Sequence, residues 1–377
     1  MKKKAISAIL AAAIAVSVFS GCGTSGKKTK PQPADTKTVS SENSTKDAAE
    51  DASVLRSGVL SYLNYSEDQF NFLVEANQPL IHLLESKGYA TIKDRKDYSK
   101  NTQIETTFYD SLDSMVMALH AGEIDYIDDL PQCTADYLCQ RDDELEAPIH
   151  YNMEKKREEN SFEYIAFQRL SNGFAFLLKQ DDYQLCDDFN RVIAEMEGDK
   201  TLERLVKEQI TDVAEGKEPA AVELAQKDGR ETLKIAVTGS LPPIDYVAAD
   251  GSFAGFNTAF LAEVGERLGK NIRLVQVDSP GRAAALASGN VDVVFWCRQN
   301  PMGSKFANML KSELQDIFEG NKENMTEEEA TILDKSMEAF WDGETQIMRD
   351  IPDGCIATEP YYRDICVPVV QKNALED

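Results

Sequence analysis

Arg298 carries a guanidinium, whose planar fork suits bidentate binding of a carboxylate. Trp296, just before it, offers a large stacking surface. The same two residues read equally well as a core residue and a salt-bridge partner between two parts of the fold. Asp128 and Asp129 precede Pro131 at the end of an apolar run. A carboxylate there would pair with an ammonium group, or supply a placed acid and base; the plain alternative is a solvated turn. Asn64 and Ser66 stand where a helix is expected to begin, and the free amides of such a start meet anionic groups. Ser66 also reads as an ordinary N-cap. Nothing else looks catalytic, because the sequence has no Gly-rich phosphate loop, no nucleophile elbow and no metal motif. His82, His120 and His150 sit in unrelated contexts, without the close His/Cys spacing of zinc sites, so no metal or other cofactor is expected.

A short internal repeat organises the elements that must position these groups. Ala118-Leu119-His120-Ala121-Gly122-Glu123-Ile124-Asp125 matches Ala285-Leu286-Ala287-Ser288-Gly289-Asn290-Val291-Asp292. Each copy reads as a helix closed by a glycine, whose permissive backbone allows the left-handed cap, and then at once a strand. Leu112, Met115, Val116 and Leu119 fall on one helical face before the first copy, and Ser279-Pro280 is a good N-cap and N1 pair before the second. The runs Ile124–Ile127 and Val291–Phe295 are β-branched and apolar, as in buried strands. Leu233–Val237 and Ile272–Val277 are further strands flanking a helical stripe, Phe256, Phe260, Leu261, Val264 and Leu268, that ends at Gly269. Strand–helix–strand–helix–strand implies a parallel sheet joined by crossovers, and such sheets bind ligands at the carboxyl ends of their strands. Ile104–Tyr109 and Phe174–Lys179 add strands, and residues 187–197 and 201–210 add helices with apolar faces.

The ends and the composition bound the rest. Lys2, Lys3 and Lys4 followed by the short apolar run Ala5–Val18 form a signal peptide, and Phe19-Ser20-Gly21-Cys22 resembles a lipoprotein cleavage box. By that resemblance Cys22 is the lipidated first residue of the mature chain, which puts the protein on the outer face of the cell membrane. Residues 23–53 are polar and almost free of large apolar side chains, so they read as a flexible tether. The formal charge of −25 repels phosphate backbones, so nucleic acid is not an expected partner. Six cysteines follow Cys22; extracellular placement permits disulfides among them, but no CxxC spacing points to any.

Residues 231–296 resemble the opening of bacterial extracellular solute-binding proteins of the polar-amino-acid type, family 3, and here that opening stands late in the chain. Residues 54–165 resemble the family's lobe two. Residues 166–210 resemble the return segment that completes lobe one, and Glu359-Pro360-Tyr361-Tyr362-Arg363-Asp364 the segment leaving lobe one for the hinge. The resemblance implies an α/β, two-lobed periplasmic-binding-protein-like fold of type II, circularly permuted, with a helical insertion. The implied organisation is a signal peptide over 1–21, a tether over 22–53, lobe two over 54–165, the return segment over 166–210, and a linker over 211–230. The first part of lobe one then occupies 231–299, the insertion 300–354, and a hinge segment returning to lobe two 355–377. Within the insertion Thr326 and Glu329 have the spacing of a capping box, ahead of Ile332, Leu333, Met337 and Phe340.

The function implied by the resemblance is capture of a small polar solute, an amino acid or related, for a membrane permease and ATPase of an importer, by a monomer that is not an enzyme. A ligand-sensing receptor that docks a signalling partner is the alternative, and a dehydratase-type enzyme on the same fold a further one. The sequence departs from the family's ligand-gripping aromatics at Ile244 and Ser279. The ligand-binding residues implied are therefore Trp296, Arg298 and Ser240 on lobe one, with Asn64 and Asp129 on lobe two.

Overall fold

A computed structural model describes residues 53–60, 78–93, 102–158, 161–278, 281–298, 325–338, 341–342, 346–347 and 351–374. The signal segment with Cys22, nearly all of the tether, Asn64, Ser66, Ser279, Pro280 and the first half of the insertion lie outside the described residues.

The strands expected from the β-branched runs form, and they join one ten-stranded sheet. In chain order these are β1 (Ser53–Leu60), β2 (Thr102–Tyr109), β3 (Tyr126–Pro131), β4 (Leu145–Glu146), β5 (Ser171–Lys179), β6 (Thr232–Val237), β7 (Asn271–Gln276), β8 (Val293–Arg298), β9 (Cys355–Ala357) and β10 (Tyr362–Gln371). The order across the sheet is β7–β6–β8–β5–β10–β3–β1–β2, with β9 on β5 and β4 on β10. Among the described residues the helices of six residues or more are α1 (residues 78–86), α2 (Leu112–Ala121), α3 (Gln132–Arg141), α4 (Phe162–Leu170), α5 (Tyr183–Gly198), α6 (Thr201–Val206), α7 (Phe256–Leu268), α8 (Arg282–Ala287) and α9 (Glu327–Glu338).

The sheet is the same pattern written twice. In lobe one β7, β6 and β8 run parallel, and β5 lies antiparallel on β8. In lobe two β2, β1 and β3 run parallel, and β10 lies antiparallel on β3. Each lobe is thus strand, helix-bearing crossover, strand, helix, strand, finished by an antiparallel strand that comes from elsewhere in the chain. The two finishing strands pair with each other through Tyr362–Ile365 and Ser171–Phe174 and join the lobes into one sheet.

The two copies of the repeat do the same job in each lobe. Gly122 and Gly289 both take a left-handed conformation, φ 70° and 75°, which an L side chain rarely adopts. The amides of Glu123 and Ile124 then bond back to Ala118, and those of Asn290 and Val291 back to Ala285. The first apolar residue after each glycine therefore closes the helix cap instead of starting the strand. For this reason β3 begins at Tyr126 and β8 at Val293, two residues later than the runs Ile124–Ile127 and Val291–Phe295 suggest. The aspartates that end the repeat are equivalent too. Asp125 accepts from the Arg56 amide of β1 at 2.8 Å, and Asp292 from the Lys234 amide of β6 at 2.8 Å.

Lobe one is held by an aromatic core drawn from three distant stretches. Phe176 of β5 lies 5.5 Å from Phe189 of α5, 5.8 Å from Phe260 of α7 and 5.0 Å from Tyr361. Each such ring adds roughly 1.5–3 kcal/mol by leaving water. Helices α5 and α6 pack on α7, and Arg204 and Arg267 reach Glu263 and Asp199 across that seam. One helix was not foreseen: α4, capped by Ser161 bonding the Tyr164 amide at 3.2 Å, carries the chain from lobe two to β5. The lobe-two boundary expected at residue 165 falls inside it. In the insertion the capping box forms as its spacing predicts, with Thr326 N–H donating to Glu329 at 2.7 Å and Glu329 N–H to Thr326 Oγ1 at 3.2 Å. Leu333 then buries against the core, and α9 docks on α4.

Candidate functional site at the meeting of the strand ends

Parallel strands present ligands at their carboxyl ends, and here the ends of both lobes face one stretch of β10. The last residue of β8, Arg298, is in register with Gly173 of β5, which is in register with Arg363 of β10. The last residue of β3, Pro131, is in register with Cys366 of the same strand. Both parallel sets therefore end on the short span Arg363–Cys366, where β10 leaves one lobe for the other.

On the lobe-two side this junction is acidic and dry. Asp128 and Asp129 are 1% and 3% exposed, so the solvated-turn reading of the pair is overturned. They lie within a six-residue strand that is buried throughout and flanked by β1 and β10, which alternation along the sequence does not reveal. Asp129 has φ 58°, a left-handed conformation rare for a residue with a side chain. Its amide donates to Asp128 Oδ1 at 2.8 Å. Among the described residues Asp128 Oδ2 and Asp129 Oδ1 have no hydrogen-bond partner. Burial pushes the Asp128 carboxyl up to about 7, opposed by the Asp129 amide. Burial also pushes Asp129 well up, against the stabilising hydrogen bond of Cys366.

The sequence reading missed the rest of this cluster. Asp364 of β10 accepts from the amides of Cys133 at 2.9 Å and Ile365 at 2.8 Å, and from the Tyr362 hydroxyl at 3.4 Å. Burial raises its carboxyl to about 6 despite these donors. Asn172 at the start of β5 donates to Cys366 Sγ at 3.1 Å. These residues lie far apart in sequence from Asp128 and Asp129, and their only signal was the hinge-like segment 359–364. Cys133, Cys139, Cys186, Cys355 and Cys366 are all free thiols.

On the lobe-one side the loop after β6 wraps a further buried carboxylate. Asp245 accepts from the Thr238 amide and hydroxyl at 2.7 and 2.8 Å and from the Gly239 amide at 3.2 Å. Its carboxyl is raised by burial, against those bonds and the nearby Arg282 charge. Arg282, the first residue of α8, donates to the Phe295 carbonyl and lies 5.4 Å from the Trp296 ring. Trp296 is partly buried and packs against the small apolar cluster of Leu177, Ala236, Leu286, Val291 and Val294. Arg298 ends β8 by its backbone pairing with Gly173; its side chain is outside the described residues. Ser240 pairs with Tyr246 in a three-stranded ribbon, and its strand lies against α2 of lobe two. Tyr246 in turn meets Tyr137 of α3, ring centres 6.3 Å apart. Of the residues singled out in the sequence, Arg298 stands at the end of β8, Trp296 two residues before it, Asp129 within β3, and Ser240 in the ribbon after β6.

The histidines take surface roles, with one grouping the sequence did not suggest. His120 places Nε2 2.7 Å from Asp142 and Nδ1 3.4 Å from Glu144, so both ring nitrogens already face carboxylates. His150 lies 3.3 Å from Asp136, and that hydrogen bond raises its imidazole.

Residues 233–297 match the family described as bacterial extracellular solute-binding proteins, family 3. They comprise β6, the ribbon with Ser240, α7, β7, α8 and most of β8. The protein is thus a two-lobed α/β molecule in which one continuous strand–helix stretch of lobe one matches this family. No curated protein matches the chain. Among solved structures, the ligand-binding component of an ABC-type import system from Staphylococcus aureus is 11% identical, with 86% of this chain and 68% of that one covered and a TM-score of 0.31. An ancestral arginine-binding protein bound to arginine is also 11% identical, covering 87% and 92%, TM-score 0.31. A putative L-cystine ABC transporter protein from Listeria monocytogenes is 7% identical, covering 85% and 84%, TM-score 0.30. No helix among the described residues is long and apolar enough to cross a membrane.

Proposed function

We propose that this protein captures a small polar solute, an amino acid or a related amine-bearing acid, between its lobes and hands it to the permease and ATPase of an importer. It does so from the outer membrane face, as a monomer held by a lipid on Cys22. The observation that carries this reading is the convergence of both sets of strand ends on Arg363–Cys366, with buried carboxylates on the lobe-two side of that span. The family match over 233–297 supports it. In this reading Asp129 takes the ligand ammonium, Arg298 the carboxylate, and Trp296 stacks on the side chain, while Ser240 and Asn64 supply polar contacts. The rotated order of the lobe segments belongs to the same proposal: it is one module with its halves exchanged along the chain.

Screening amino acids and short amines by thermal shift is expected to find a stabiliser, because a ligand that binds only the folded state raises apparent stability. Asp129→Ala and Arg298→Ala should each weaken that ligand by roughly 2–5 kcal/mol if both pair with desolvated ligand charges. Unchanged affinity in both variants removes these residues from the site, and turnover of a candidate ligand would replace capture by catalysis.

A further inference from the structure

A cavity of about 260 Å³ opens where the chain crosses between the lobes. Its walls are the loop 153–157, one side of α4, Ser171 at the start of β5, and Arg363 on β10. That volume lies just below the usual range of small-molecule pockets, about 300–1,000 Å³. Four cations line it, Lys155, Lys156, Arg157 and Arg363, against a single carboxylate, Glu154. This balance is the reverse of the whole chain, whose formal charge is −25.

Arg157 is the most informative of the four. Its guanidinium lies 3.9 Å over the Phe167 ring, which fixes its plane. It is half-buried, and it makes two long bonds to the carbonyls of Asn152 and Met153, 3.4 and 3.3 Å. A guanidinium has five N–H donors in a rigid fork, and no carboxylate among the described residues forms an ion pair with this one. Elsewhere in the molecule arginines find acids: Arg56 pairs with Asp125, Arg204 with Glu208 and Arg267 with Asp199. A partly desolvated cation in an acidic protein, held flat against a ring and left with donors to spare, is poised for an anion from solution. Lys155 is fixed at the same wall, its ammonium 3.9 Å over Tyr89 and bonded to the Lys87 carbonyl at 2.7 Å. Lys156 is exposed at the rim. Tyr164 and Gln168 of α4 add polar groups to the wall.

We propose that this cavity is a binding site for a small anionic molecule carrying a carboxylate or phosphate group, centred on Arg157 and adjoining the span Arg363–Cys366 at the strand ends, with Arg363 in its wall. Arg157 grips the anion, Lys156 attracts it, and Phe167 holds the guanidinium in place. Because the walls come from the loop after lobe two and from the first residues of β5 and β10, an occupant touches the segments that join the lobes.

The test is calorimetric titration of the mature chain with succinate, citrate and inorganic phosphate at fixed ionic strength, with sodium chloride as the control. None of the three probes has an amino group, and binding through the carboxylate grip proposed for Arg298 would be lost in R298A and kept in R157Q. At least one is expected to bind saturably at one site, weakened tenfold or more in R157Q and several-fold in K156Q. D129A should bind it as the parent does. Preference for phosphate over both carboxylates identifies a phosphorylated ligand, and the opposite preference a carboxylic acid. The exposed position of Lys156 makes K156Q a fair test even if R157Q does not fold. Absence of saturable binding by all three anions, or affinities unchanged in K156Q and in folded R157Q, overturns the proposal.

Discussion

Three carboxyls at the lobe junction are kept from water, and their titration should be visible in the stability of the molecule. Asp128 and Asp364 are raised by burial to about 7 and about 6, well above their values in an unfolded chain. The folded state therefore holds protons that the unfolded state releases, and stability falls as pH rises. The loss begins near pH 4, where the unfolded groups ionise, and is complete just above pH 7. Melting temperature measured from pH 5 to pH 8 is expected to decline steadily. Repulsion within so acidic a chain acts in the same direction, so the diagnostic variant is Asp128→Asn. An amide keeps the oxygen that accepts from the Asp129 amide and cannot ionise. It should flatten the profile and raise stability at pH 8 relative to the parent. A parent profile that rises across this window, or an Asn variant with undiminished slope, contradicts the burial argument.

At the scale of elements, the repeated turn is the device that ties each third strand to the first. Asp125 and Asp292 each accept a backbone amide from the strand alongside, β1 in one lobe and β6 in the other. Hydrogen bonds to a charged acceptor contribute roughly 1.5–3 kcal/mol when shielded from water, and less when partly exposed as here. Asp125→Ala and Asp292→Ala should each lower unfolding free energy in urea by about 1–2 kcal/mol. Asp125 should lose slightly more, because it also pairs with the Arg56 side chain at 2.7 Å. If one variant is silent and the other costly, the two turns are not equivalent devices. The aromatic seam offers a harsher check: Phe176→Ala removes a ring that touches β8, α5, α7 and Tyr361. A loss of about 3–5 kcal/mol is expected for so buried a side chain.

At the scale of the molecule, each lobe is completed by a strand supplied from the other end of the chain. β5 lies between β8 and β10, yet it precedes β8 by more than a hundred residues. A chain cut in the linker, giving residues 54–225 and 226–377, separates β5 from β8 and β10 from β3. Each fragment then exposes unpaired strand edges and an uncovered apolar helix face. Expressed alone, both should be unfolded or aggregate, and mixing them during refolding should restore a cooperative transition. Two fragments that each melt cooperatively on their own would mean tandem modules, and the exchanged-halves proposal would be wrong.

Much of this was written in local sequence. Periodicity placed β6, α7 and β7 to within a residue or two, because an apolar stripe or a β-branched run decides its own element. The repeat, its glycines and the capping box at Thr326 were legible for the same reason: caps and turns depend on residues within one turn of each other. The register at which strands begin was not, since Ile124 and Val291 look like strand residues and are spent on closing helices. The acidic junction was legible only in part. Asp128 and Asp129 stood out as a pair, but whether they meet water depends on β3 running between β1 and β10 with α2 and α3 packed against it. Asp364, Cys366 and Asn172 join them because β10 pairs with both β5 and β3 there, a fact set by contacts between residues as many as 231 apart in sequence. The basic cavity shares that origin: Lys155, Lys156 and Arg157 are adjacent in the chain, but the ring that orients Arg157 and the strand that brings Arg363 arrive through folding. Local sequence decided the elements, because their energies are local. Burial, charge balance and the joining of lobes were decided by tertiary structure, because those depend on which distant surface excludes the water.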